Sequence, residues 1–198
     1  TDSRQIYRHM DIGTAKPNKY QQSRVKHHLI NLRHPNNPMT MQDFQKIGSL
    51  EINRVLKKEG SCLLVGGSGL YLKALTQGFC PPAVPPQPQI RSQFKSLGQE
   101  ICHGLLQRSD PKAAERIHQS DISRTQRALE VLYATGKPLS DQQIKNPPPW
   151  KIIEIGLEPK NLCERIAQRT VEIYEKGLIQ ETKFLSERFT PQLPLLQT

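Results

Sequence analysis

Cys62-Leu63-Leu64-Val65-Gly66-Gly67-Ser68-Gly69-Leu70-Tyr71 sets four apolar residues directly before a glycine turn and a helical run. A short apolar run bounded by turn signals predicts a buried strand, and Leu70–Leu75 predicts a helix leaving the turn. Upstream, Phe44, Ile47, Ile52, Val55 and Leu56 share one face of a helix that starts after Thr40 and ends at Gly60. Helix, strand, glycine turn and helix in succession is the order of an α/β sheet. The amides of Gly66 to Gly69 could face an anion along the helix dipole, although such a turn alone is more often a plain strand-to-helix connection.

Working outward, Lys151 to Leu157 predicts a last strand returning to the sheet. Asn161 with Glu164 three residues on predicts a capping box for a helix to Lys176, ended by Gly177. Half of the sixteen prolines fall in two short stretches, Pro81 to Pro88 and Pro147 to Pro149. They bracket an insert in which helices are predicted at Ile90–Gln107, Pro111–His118 and Ser123–Thr135, the second with Asp110 as N-cap and Pro111 at its first position. The organisation expected is α/β core at 1–80, all-helical insert at 81–149, and α/β core again at 150–198.

With 198 residues and 35% hydrophobic content, the chain can bury one core plus a small insert. Its 28 Lys+Arg against 18 Asp+Glu give a formal net charge of +10, which suits a polyanionic partner. Residues 1–60 carry eleven bases and five acids, whereas 147–198 carry seven of each, so much of the surplus lies at the front. The four cysteines form no C-x-x-C pair and no zinc-like spacing, which points to reduced thiols and no metal-ligand set. No segment reaches the roughly 20 apolar residues that span a bilayer. A cytoplasmic monomer with no membrane role is expected.

The first seventeen residues, T-D-S-R-Q-I-Y-R-H-M-D-I-G-T-A-K-P, join a β-prone Ile6-Tyr7 pair to a turn over Asp11 to Pro17. Asp2-Ser3-Arg4-Gln5-Ile6-Tyr7 with Met10-Asp11-Ile12-Gly13-Thr14-Ala15-Lys16-Pro17 resembles the signature of the tRNA dimethylallyltransferases. His27-His28-Leu29-Ile30, Val65 to Tyr71, Arg127-Ala128-Leu129-Glu130-Val131 and Thr135-Gly136-Lys137-Pro138-Leu139-Ser140 match further landmarks in order, so the resemblance covers nearly the whole chain. It implies a P-loop NTPase-like parallel sheet flanked by helices, with the helical insert closing over RNA. The phosphate loop G-x-x-x-x-G-K-[ST] that opens such proteins occurs nowhere in these residues. With Thr1 in place of Met and the stop at Leu195-Leu196-Gln197-Thr198, the chain reads as a fragment cut at both ends and is expected to be poorly soluble. Asn31, Ser68 and Ile122 stand where Asp, Thr and Pro are usual.

The resemblance implies transfer of a dimethylallyl group from dimethylallyl diphosphate, with Mg2+, to the exocyclic amine of the adenine 3′ of the anticodon in tRNA. That amine is a weak nucleophile, so its proton needs an acceptor, and Asp2 is the candidate base. The departing diphosphate needs preorganised cations. Arg165 and Arg169, four apart on one helix face, are the candidates, with Lys16 completing a diphosphate-binding set. Adenine must leave its stack to react. Asp2, Ser3, Arg4, Gln5, Ser68, Arg91, Ser123, Arg124, Thr125, Gln126 and Arg127 are the candidate tRNA contacts. From the residues alone, Asp2 also reads as a turn cap, the arginines as a solvated face and the His27–His28 pair as structural. The alternatives are a prenyltransferase for adenine nucleotides and a non-catalytic RNA-binding relic.

Overall fold

The computed structural model describes residues 1–142 and 144–196. The chain divides into two compact units, 1–76 with 148–198 and 77–147, where the sequence placed the insert at 81–149.

In the first unit, α1 spans Lys19–Arg24, α2 Met41–Glu59, α3 Gly69–Thr76, α8 Leu162–Glu175 and α9 Leu178–Arg188. The second unit holds β1 (Phe79–Cys80), α4 (Pro88–Leu97), α5 (Gln99–Ser109), α6 (Pro111–Arg116), α7 (Ile122–Thr135) and β2 (Ile144–Lys145). Helix α2 begins and ends where the sequence requires. Thr40 accepts the Asp43 N–H at its start, Lys57 and Lys58 sit in its last turn, and Gly60 closes it at φ 75°.

The buried face of α2 presents Phe44 and Ile52 to Ile6, Tyr7, Met10, Met39, Tyr71, Leu75 and Leu185. Phe44 and Tyr71 stack with centroids 3.9 Å apart. The Tyr7 hydroxyl accepts the Met39 N–H at 2.8 Å, and burial first of all pushes the Tyr71 hydroxyl up to about 12. Phe94, Cys102, Leu106, Ala113, Ala114, Ile117, Ala128 and Leu129 form the separate core of the second unit.

Three expectations are corrected. Neither Cys62–Val65 nor Lys151–Leu157 is a strand: among the described residues neither segment has a ladder partner, and Leu63 is 87% and Leu157 91% exposed. Among the described residues the pairings are antiparallel β1 with β2, Phe79 opposite Lys145, and one isolated parallel bridge between Tyr7 and Arg33. An apolar run becomes a buried strand only beside a ladder partner. The single helix expected over 90–107 is broken at Gly98, whose φ of 84° ends α4 and starts α5. Asn161 makes no side-chain cap to α8, so the expected capping box does not form. Asp110 does cap α6, with Pro111 at its start.

Candidate functional site

The residues of 1–5 fold against the glycine turn. The Asp2 Oδ1 accepts the N–H groups of Arg4 at 2.7 Å and Gln5 at 3.0 Å, which fixes the carboxylate on a tight turn. Oδ2 lies outside those two bonds. The Ser68 hydroxyl accepts the Ser3 N–H at 3.0 Å, and the Ser68 N–H points at the Thr1 carbonyl. The glycine turn therefore holds the start of the chain. Its Ser68 amide is directed at a carbonyl oxygen of the protein.

The Gln5 amide nitrogen donates to Thr14 O at 3.0 Å and Ala15 O at 3.4 Å. It ties the Asp2 turn to the loop 10–16, which borders a groove of about 1490 Å³ between that loop, α1 and α8. Lys16, Arg165 and Arg169 all line this groove. Arg165 and Arg169 are exposed, and neither makes an ion pair among the described residues. Like charges four apart on a helix repel by a few tenths of a kcal/mol, and an anion between them reverses the sign.

Lys16 sits differently from a free cation. Its side chain is 2% exposed, and the ammonium donates to Tyr7 O at 2.6 Å, Asp11 Oδ1 at 2.6 Å and Asn31 Oδ1 at 2.7 Å. All three donors are taken, so the lysine knots the loop together at the groove wall. With Asn31 at this point, the ammonium has one carboxylate partner, Asp11. From α9, the Glu181 carboxylate accepts the consecutive N–H groups of Asp11, Ile12 and Gly13 at 2.8, 2.8 and 2.9 Å. Nothing local in the sequence could couple positions so far apart.

The second unit carries the remaining candidates. Ser123 and Arg124 are exposed at the start of α7, and Arg124 pairs with the capping residue Asp121 at 2.9 Å. Thr125 is fully buried and its hydroxyl accepts from Gln99, while Gln126 is half-buried. Arg91 and Arg127 converge on Glu130, which has no exposed surface. Arg91 bonds it through Nε at 2.7 Å and a terminal nitrogen at 2.9 Å, Arg127 at 2.6 Å, and the Gln87 N–H at 2.6 Å. Burial alone would raise this carboxyl, but those donors together hold it down to about 2. Arg127 also donates to Pro82 O and Val84 O, anchoring the proline-rich segment. Glu130 escaped the sequence reading, though a lone acid three residues after Arg127 on an otherwise apolar face was its signal.

His28 pairs with Glu51 of α2, a structural role. Among the described residues, no three His, Cys, Asp or Glu side chains converge as a metal site, and no helix is long and apolar enough to cross a membrane.

Residues 5–198 match the family model described as IPP transferase. The chain belongs to the IPP transferase family. It is 60% identical over 197 residues to the tRNA dimethylallyltransferase of Synechococcus sp. strain CC9311 and 58% identical to that of Prochlorococcus marinus strain MIT 9313. All of this chain is covered in each case, but it spans only 64% and 66% of those relatives' length. Among solved structures, it resembles the full-length tRNA isopentenylpyrophosphate transferase of Bacillus halodurans, with 33% identity, TM-score 0.62, and coverage of 100% of this chain and 63% of that one. A eukaryotic dimethylallyltransferase described as acting on tRNA aligns with TM-score 0.72 at 25% identity, covering 96% of this chain and 49% of that one. A helix-rich IPP transferase chain is thus the fold in hand.

Proposed function

We propose that this chain carries the transfer centre of a tRNA dimethylallyltransferase, with the anticodon stem-loop and dimethylallyl diphosphate as substrates and a P-loop-like parallel sheet in the complete core. The observation that carries the reading is the groove. Arg165 and Arg169, which make no ion pair among the described residues, line it, and Gln5 links the loop 10–16 that also lines it to the Asp2 turn. Attack of the adenine amine on the allylic carbon forms a C–N bond and breaks the C–O bond to diphosphate. The Oδ2 of Asp2 takes the amine proton while Oδ1 stays bound to its turn, so the base remains oriented. Arg165 and Arg169 receive the charge that grows on the leaving diphosphate. Lys16 and Glu181 hold the loop between these two groups. Ser3, Arg4, Gln5 and Ser68 border the flipped base, and Arg91, Ser123, Arg124, Gln126 and Arg127 meet the RNA backbone, Thr125 supporting them from within the core.

Mg2+ is implied by the family resemblance. Among the described residues the donor set does not form a metal site of its own, and no step here runs through the ion. A cytoplasmic, monomeric enzyme completes the proposal.

The test is isoprenyl transfer to an anticodon stem-loop, with dimethylallyl diphosphate and Mg2+, read by mass. It is run with this chain and with a version extended to the length of its curated relatives. Product from the extended protein is expected. No product from either, with stem-loop binding intact, would overturn the assignment in favour of an RNA-binding relic.

A further inference from the structure

On the first unit, cationic and aromatic side chains form one continuous strip. The Arg8 guanidinium donates to Asn31 O at 3.1 Å and lies 3.4 Å from the His34 Nε2. The His34 ring is 5.9 Å from His9, and His9 meets Phe184 edge-on at 5.8 Å and Phe189 at 6.4 Å. Arg188 then lies over both phenyl rings, 5.7 Å from Phe184 and 5.9 Å from Phe189. Arg8, His34, Phe184 and Arg188 are exposed, while His9 and Phe189 are half-buried.

Two features mark this strip. Among the described residues, none of Arg8, His9, His34 or Arg188 makes an ion pair, whereas Lys16, Arg33, Arg91, Arg124 and Arg127 each have a carboxylate partner. The strip's formal positive charge is that of Arg8 and Arg188, neither of which has a carboxylate partner among the described residues. Second, His9 sits at φ 67°, a left-handed conformation that costs an L side chain and that glycine would adopt freely. A turn alone has no use for the imidazole, but three neighbouring rings contact it.

We infer that Arg8, His9, His34, Phe184, Arg188 and Phe189 form an RNA-contact surface that stacks an unpaired base and neutralises the flanking phosphates. A nucleotide carries a flat base between two anions, matching rings flanked by an arginine at either end. An acidic peptide would satisfy the cations and leave the exposed part of the Phe184 ring uncovered. The strip is also tied to the groove, because Glu181, three residues before Phe184 on α9, holds the amides that follow Met10. The inference rests on the RNA-binding part of the function proposed above.

The test measures fluorescence polarisation of a labelled oligoadenylate of about twelve nucleotides, long enough to track such a surface. It uses the full 198-residue chain, over a range of salt. Phe184→Leu keeps an apolar side chain, and its thermal melt checks the fold. It is expected to bind at least about fivefold more weakly. The pair Arg8→Gln with Arg188→Gln is expected to reduce the slope of log affinity against log salt by about 1.4, since two phosphate contacts are lost. Wild-type affinity and slope in both variants would overturn the inference, as would polyglutamate competing as well as the RNA. Prenyl transfer with unaltered variant RNA binding would sink this surface and leave the proposed activity standing. Weakened variants of a chain whose extended version transfers nothing would do the reverse.

Discussion

Replacing Glu130 by Gln tests whether the ion-pair hub holds the helical unit together. The carboxylate is fully buried and takes four donors, two from Arg91 and one each from Arg127 and the Gln87 backbone. Gln keeps the shape, but its NH2 would face a guanidinium and both arginines would lose their counter-charge. Breaking a buried pair from one side costs about 3–5 kcal/mol. An independent route agrees. A fall from 4.5 in the unfolded chain to about 2 in the folded one is worth about 3 kcal/mol near neutral pH. Because the folded value is the lower one, this contribution is complete above about pH 4.5 and disappears as pH falls towards 2. Hydrogen exchange read by mass spectrometry should show amides of α4 and α7 exchanging about a hundredfold faster in the variant at pH 7. Amides of α2 should not change. In urea melts, the gap between the proteins should close between pH 4.5 and 2. A gap below about 0.5 kcal/mol at pH 7, or one that does not shrink with acid, would refute the reasoning.

Asp2→Asn in the extended protein should lower single-turnover prenyl transfer by about 10²–10⁴ while its melt stays put, because the amide oxygen still accepts from Arg4 and Gln5. A wild-type rate would remove Asp2 as the base. Arg165→Gln and Arg169→Gln should each weaken inorganic diphosphate binding by about tenfold or more in calorimetry. Neither should cost stability, since a like-charge pair is relieved. The bare chain should bind a hydrophobic dye strongly at neutral pH, given that Leu63, Val65, Ile153, Ile155 and Leu157 are each at least 70% exposed. A cooperative melt without dye binding would contradict that.

What could be read from the sequence was what local chemistry decides. Thr40 and Gly60 bound α2, Asp110 and Pro111 start α6, and Gly136 ends α7 at φ 68°, because caps and glycines act within a turn of themselves. The 40–60 helix face emerged with Phe44 and Ile52 in the core for the same reason. The residues that hold the site together were not legible. Lys16 reads as a free cation beside a glycine turn, and only the folded loop brings Tyr7 O, Asp11 and Asn31 around its ammonium. Gln5 reads as a base-recognising amide, yet its nitrogen is occupied by Thr14 and Ala15.

The two missed strands show why a hydrophobic pattern underdetermines a sheet. Cys62–Val65 and Lys151–Leu157 have the composition of buried strands, yet neither forms a strand in the fold. A ladder, however, is a property of two segments, and among the described residues neither has a partner. The turn that follows the first segment keeps its place without any sheet, because Val65 O accepts the Thr1 amino group at 2.6 Å and Ser68 bonds Ser3. The site elements of the first unit are thus organised by polar contacts among loops, Gln5, Lys16, Glu181 and Ser68. Backbone pairing contributes through the isolated parallel bridge between Tyr7 and Arg33, with the Asn31 N–H donating to Gln5 O at 3.1 Å and the Arg8 N–H to Arg33 O at 2.8 Å. It follows that the Asp2 turn and the loop 10–16 should keep their mutual geometry when any one apolar residue of 151–157 is changed, and should lose it when Gln5 or Glu181 is.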